Sequence, residues 1–171
     1  MSLIPSQYDL LAKHVHWAHR KRHNLTEQQR YWLRGNQSLT KQLIAFSDGQ
    51  FRVRVLREFR GLPYAHEAAK LNIPLYIACH IREVELLCHD EATVFARSII
   101  PLDVLKGTGL QLAHLGNKPL GHLLFKQAKV DLEQRQVAKI ELNGHSSWAR
   151  RTVYQFNRAG ILVSEFFLMP L

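Results

Sequence analysis

The spacing of apolar and polar positions predicts helices first. Thr26-Glu27-Gln28-Gln29 has capping-box spacing, in which a hydroxyl and an amide side chain satisfy two free backbone N–H groups at a helix start. It predicts a helix through Leu33, with Gly35 just beyond its end. Ser38 then caps a second short helix, Leu39 to Phe46, and Asp48-Gly49 forms a turn. At Phe51-Arg52-Val53-Arg54-Val55 the period changes to two, the mark of a half-buried strand. Tyr64 to Leu71 reads as helix again and ends before Pro74.

Two hairpins follow. The first joins Ile77–Cys88 to Thr93–Ile100 across His89-Asp90-Glu91-Ala92, and the second joins Arg150–Phe156 to Ile161–Leu168 across Asn157-Arg158-Ala159-Gly160. Between them, Pro101 to Lys106 and Leu110 to Leu115 read as helix or loop, and a weaker strand covers Val137 to Leu142. Hairpins with helices in the gaps predict an α+β fold, a single antiparallel β-sheet with helices packed mainly on one face.

Hairpin register assigns faces, because directly paired residues share one. Pairing Cys88 with Thr93 sets Val84 opposite Arg97 and Arg82 opposite Ile99. Both arginines then lie on the apolar face, and Glu83 and Glu85 point to solvent. Guanidinium groups on an apolar face are costly unless an anion meets them. In the second hairpin, pairing Phe156 with Ile161 sets Thr152 opposite Glu165, on the face of Tyr154, Ile161 and Val163. Glu165 there is either an ion-pair partner, of Arg150 above all, or a carboxylate in a desolvated pocket.

Leu115-Gly116-Asn117-Lys118-Pro119-Leu120-Gly121, followed by His122-Leu123-Leu124-Phe125, reads as a turn leading into a helix, with the proline in its first turn. The first amides of a helix point outward and carry partial positive charge, so a carboxylate can dock on them.

Composition narrows the function classes. At 171 residues, 46% apolar and 22% charged, the chain reads as one globular domain, 1–171. No apolar run is long enough to span a bilayer, and Met1 to Ser6 lacks the features of a secretory signal. Cys79 and Cys88 sit in apolar strand sequence, which fits reduced thiols and a cytoplasmic location. The net charge of +9 favours anionic partners, and a His-rich basic block, His14 to His23, makes residues 1–25 a candidate peripheral segment. His19 and His23 stand one helical turn apart, but no carboxylate or cysteine lies close by in sequence to complete a metal site. In His66-Glu67-Ala68-Ala69-Lys70, lysine stands where a zinc-protease motif needs its second histidine. Neither feature supports a metal. No aromatic-rich RNA motif or helix-turn-helix accompanies the positive charge.

From Trp32-Leu33 to the C-terminus the chain resembles the chorismate pyruvate-lyase family. The resemblance rests on Ser38-Leu39-Thr40-Lys41, Ile81-Arg82-Glu83, Ala96-Arg97-Ser98-Ile99-Ile100-Pro101, the Leu115 to Phe125 stretch, Trp148-Ala149-Arg150-Arg151-Thr152, and Leu162-Val163-Ser164-Glu165-Phe166-Phe167-Leu168. It implies an enzyme without cofactor or metal that removes pyruvate from chorismate and leaves 4-hydroxybenzoate for ubiquinone synthesis, with chorismate its partner and a monomeric state. By motif position, Arg82 and the Leu120 amide would hold the ring carboxylate, Glu165 would meet the ring hydroxyl, and Leu39 would line the pocket. Arg97 is the candidate for the departing enolpyruvyl carboxylate, since a planar guanidinium binds a carboxylate in two-pronged fashion. The family usually has glycine where this chain has Ala149, and a positive φ there would strain an alanine. The alternative is a non-catalytic anion-binding domain, as in the sensors of GntR-type regulators. That reading needs a DNA-binding winged helix ahead of the sensor, for which too few residues precede the resemblance.

Overall fold

The computed structural model describes residues 5–19, 23–35, 37–106, 111–112, 114–156 and 159–171. Eight antiparallel strands form one sheet: β1 (Ala18–His19), β2 (Phe51–Gly61), β3 (Cys79–Cys88), β4 (Glu91–Pro101), β5 (Lys129–Val130), β6 (Gln136–Leu142), β7 (His145–Phe156) and β8 (Ala159–Phe167). Their order is β1-β6-β7-β8-β4-β3-β2, with β5 paired to β7. Among the described residues five α-helices flank it: α1 (Pro5–His14), α2 (Glu27–Arg34), α3 (Leu39–Phe46), α4 (Ala65–Leu71) and α5 (Leu120–Gln127).

The predicted caps work largely as expected. The Thr26 hydroxyl accepts from the Gln29 amide at 3.2 Å while the Gln29 side chain accepts from the Thr26 amide at 3.0 Å. Ser38 precedes α3, but its hydroxyl makes no capping bond. Pro119 is the residue before α5 rather than one in its first turn, so Leu120 supplies the first helical amide.

One sheet face carries Trp32, Leu33, Leu39 and Leu43 of α2 and α3 against Val84, Leu86, Val94 and Ala96, with Leu120 and Leu124 of α5 packed against Tyr154, Ile161 and Val163. The other face carries Tyr8 and Ala12 of α1 against Phe95 and Phe166, and Leu71 of α4 against Ile81, Ile99 and Leu162. Residues 1–25, expected as a peripheral segment, thus place Tyr8, Ala12 and Leu25 in the core. Arg20, Lys21 and Arg22 of the basic block lie outside the described residues.

Two bulges set which charges meet. In the β3–β4 hairpin, His89 and Asp90 form a two-residue turn at φ 50° and 66°, and Cys88 pairs with Glu91. The register then shifts between Leu87↔Ala92 and Leu86↔Val94, so Thr93 is the extra residue. One extra residue moves every later side chain to the other face. Arg82 therefore pairs with Ser98, Val84 with Ala96, and Glu83 with Arg97. The expected sharing of a face by Arg82 and Arg97 is overturned.

A second bulge, between Val55 and Arg57, has the same kind of effect on the edge strand β2. Continued past Val55↔Val84 without it, the register would set Arg57 against Arg82. With it, Glu58 meets Arg82 and Arg57 meets Glu83.

Glu83 and Glu85, expected at the surface, are 2% and 0% exposed. Glu85 accepts from the Tyr8 hydroxyl at 2.5 Å and from Arg54 Nε at 2.6 Å, and Glu83 accepts from Arg97 Nη1 at 2.5 Å and from Arg57. Arg97 also donates to Glu67 Oε1 at 2.8 Å and lies 4.3 Å from the centre of the Tyr64 ring. Buried charges survive when each is paired and hydrogen-bonded.

The second hairpin keeps its predicted parity. Phe156 pairs with Ala159 rather than Ile161, so Glu165 faces Arg150 directly rather than Thr152. Residues 157–158 of its turn lie outside the described residues. A further hairpin, β6 to β7, turns on Asn143 and Gly144 at φ 49° and 81°, so β7 begins at His145 rather than Arg150. Ala149 sits in extended strand between Ala138 and Phe166 and is absent from the positive-φ residues, so alanine carries no strain there.

Candidate active site

Where the first turns of α3 and α5 approach the sheet, a small pocket opens between them. Its floor is the sheet face that the bulges define: Arg82, Val84, Ala96, Ser98, Val163 and Glu165. Leu39 and Thr40 close it from α3, Pro119, Leu120 and Gly121 from α5, and Tyr154 joins from β7. The structure therefore brings together Leu39, Arg82, Leu120 and Glu165, four of the five residues singled out from sequence.

Arg97 is the fifth, and it lies elsewhere. Its side chain is on the opposite face, held by Glu67 and Glu83. The Thr93 bulge moved it, and no break in the apolar alternation announced that bulge.

Arg82 is 2% exposed, and both its Nη atoms are engaged. Nη1 pairs with Glu58, while Nη2 donates to the carbonyls of Gly116 at 2.7 Å and Lys118 at 3.2 Å. The guanidinium expected to meet a ligand carboxylate is thus an anchor as well. It fixes the loop that leads into α5 and so sets the position of the Leu120 amide.

Glu165 is 5% exposed. Its Oε2 accepts from Arg150 Nε at 2.5 Å, and Arg150 Nη1 donates to the Trp32 carbonyl at the end of α2. Among the described residues Oε1 has no hydrogen bond, and it belongs to a side chain that lines the pocket. The ion pair and the pocket, set against each other in the sequence reading, coexist.

Three polar lining residues escaped the sequence reading as site residues. Ser98 stands opposite Arg82 and becomes visible once the register is corrected. Thr40 follows Leu39 into the first turn of α3. Tyr154 lines the pocket from β7. Burial first, and the nearby Glu165 second, push its phenol above the usual range, while Arg135 donates to its oxygen. At neutral pH it is therefore a protonated donor. The pocket thus has a cationic end at Arg82 and the start of α5, a carboxylate in Glu165, apolar walls from Leu39, Val84 and Val163, and neutral donors beside them.

The pocket has both a guanidinium and a carboxylate in its lining, and solved structures share the fold that carries it. The effector domain of PhnF from Mycobacterium smegmatis superposes with a TM-score of 0.59 at 9% identity, covering 78% of this chain and 89% of that one. The ligand-binding domain of a GntR-family transcriptional regulator from Bordetella bronchiseptica gives 0.54 at 16% identity, covering 71% and 86%. These likenesses establish the fold alone.

Sequence likeness goes further. The chorismate lyase family matches residues 11–171. A protein of Methylococcus capsulatus described as "probable chorismate pyruvate-lyase" is 36% identical over 149 residues, covering 80% of this chain and 92% of its own. One from Coxiella burnetii with the same description is 36% identical over 154 residues, covering 83% of each. The chain belongs to the chorismate lyase family, and it is a lyase.

Proposed function

We propose that the chain eliminates pyruvate from chorismate to give 4-hydroxybenzoate, the aromatic precursor for ubiquinone synthesis. One observation carries the reading: a pocket on the sheet lined by Arg82 from β3, Leu120 from the start of α5 and Glu165 from β8. Family membership supplies the substrate class.

In this reading Arg82 and the Leu120 N–H hold the ring carboxylate, and Glu165 accepts from the ring hydroxyl through the oxygen that Arg150 leaves free. Leu39 and Val163 press on the ring faces. Among the described residues that line the pocket, Arg82 has no second guanidinium beside it to meet the enolpyruvyl carboxylate. Thr40, Ser98 and Tyr154 are the donors available to it and to the ether oxygen. In the reaction the ring carbon–oxygen bond to the enolpyruvyl group breaks, and its electron pair leaves with that oxygen. The hydrogen on the hydroxyl-bearing carbon departs as a proton, and the ring becomes aromatic. The enol of pyruvate takes up a proton and tautomerises. Aromatisation supplies the driving force, so the residues contribute orientation and fixed charge. In this reading Glu165 orients the hydroxyl and receives the ring proton.

The test is to mix purified protein with chorismate, in buffer containing a chelator, and to quantify 4-hydroxybenzoate and pyruvate. Equal amounts of both, at a rate proportional to enzyme, are the expected result. Binding of chorismate without turnover would favour the non-catalytic anion-binding domain instead. Activity that disappears with chelator and returns with a divalent ion would overturn the metal-free part of the reading.

A further inference from the structure

Arg82 supplies the cationic charge of the pocket lining among the described residues, and its donors are largely spent. A guanidinium has five N–H groups. Both on Nη2 are directed at carbonyls, of Gly116 at 2.7 Å and Lys118 at 3.2 Å, and Nη1 is paired with Glu58. Two-pronged carboxylate binding needs two adjacent N–H groups. Two-pronged binding would therefore displace a loop carbonyl, whereas a carboxylate that takes a single contact, at Nη1, displaces Glu58 alone.

The two rivals differ. The carbonyls belong to the loop that positions Leu120, itself part of the pocket wall. Glu58 belongs to the edge strand β2, and its side chain is 30% exposed against 2% for Arg82. It can leave Arg82 for water at little cost, since a carboxylate that enters water regains its hydration. The bulge between Val55 and Arg57 puts it there, where an unbroken register would have put Arg57.

We propose that Glu58 is an exchangeable counter-ion for Arg82. It occupies the guanidinium when the pocket is empty, gives way to the carboxylate of the ligand, and returns as the aromatic product leaves. It therefore lowers the affinity for carboxylate ligands and speeds product release. This rests on the assignment of Arg82 to the ring carboxylate.

The test compares the parent with Glu58→Gln in three titrations and a release assay. Removing the competing charge should tighten 4-hydroxybenzoate binding about fivefold or more and slow its dissociation correspondingly. Affinity for 4-hydroxybenzamide, which lacks the carboxylate charge, should stay within about twofold. The rise in melting temperature on adding 4-hydroxybenzoate should be larger in the variant than in the parent, because the ligand then restores a missing counter-ion. Glu58→Asp, one methylene shorter, should shift affinity in the same direction by less, and it decides the matter if Glu58→Gln folds poorly. Equal or weaker 4-hydroxybenzoate binding in the variants, with a parent that binds it and turns over chorismate, would overturn the exchange alone. A parent that neither binds 4-hydroxybenzoate nor consumes chorismate would overturn both this and the proposed function.

Discussion

Replacing Glu165 by glutamine removes one charge from a pair that the fold has taken out of water. Arg150 is 1% exposed, and its contacts are Glu165 Oε2 at 2.5 Å and the Trp32 carbonyl. Breaking a buried ion pair from one side costs about 3–5 kcal/mol, because the remaining charge is orphaned. The glutamine oxygen can still accept from Nε, and a retained hydrogen bond returns about 1 kcal/mol. The net loss is about 2–4 kcal/mol, or a fall in melting temperature of roughly 4–16 °C for a chain of this size. Adding Arg150→Met removes the orphaned charge and should recover most of that loss. Turnover should behave differently. Glu165→Gln should lower the rate of pyruvate release by at least about tenfold, roughly 1.4 kcal/mol of barrier, and the double variant should stay impaired. A thermal melt and a pyruvate-release assay on the two variants check this. Near-normal turnover in Glu165→Gln, together with a lowered melting temperature rescued by the double change, would make Glu165 a scaffold residue and refute its place in the chemistry.

Arg82→Ala should weaken 4-hydroxybenzoate binding by about 2–5 kcal/mol in a titration, and the freed Gly116 and Lys118 carbonyls should loosen the start of α5 while the rest of the sheet stays folded. Arg97→Met should do the opposite. It should depress the melting temperature by leaving Glu67 and Glu83 unpaired, with KM for chorismate within about twofold of the parent. Stability should also respond to His66. Arg151 Nη1 donates to its Nδ1 at 3.1 Å, so the ring is neutral and Nε2 donates to the Ala12 carbonyl at 2.9 Å. Burial is the main force holding its folded pKa below the usual imidazole value of about 6.5. The unfolded chain therefore binds more protons in that window, and stability is full above about pH 6.5 and falls as pH drops through the folded value. A melting series from pH 8 to 5 should show this loss, and His66→Gln, which keeps a donor and an acceptor, should flatten it.

The helices and their order were legible because their signals are local. Thr26 and Gln29 satisfy each other's amides within four residues, and Pro119 marks a helix start by its own ring. Glu165 was found because parity survives a shift of two residues at the hairpin turn. Arg97 was misplaced because a bulge shifts parity by one. Thr93 looks like any other strand residue, and only the packing of Phe95 against Tyr8 and Phe166 shows which face wins. Glu83 and Glu85 misled for the same reason. A carboxylate alternating with apolar residues reads as solvent-facing, and its partners Arg54, Arg57 and Arg97 are distant in sequence. The contact of Glu58 with Arg82 depends on a second bulge and was invisible for the same reason. The β6–β7 hairpin did carry a local sign, Asn143-Gly144 between strand-like runs, which the sequence reading overlooked.

A crystal structure with 4-hydroxybenzoate bound tests the central claim most directly, that this pocket is where chorismate becomes aromatic. The expected result is one ring between Leu39 and Val163, its carboxylate within hydrogen-bond reach of Arg82 and the Leu120 amide and its hydroxyl directed at Glu165. A ring bound the other way round, with its carboxylate beside Arg150, or bound outside these walls, would contradict the account.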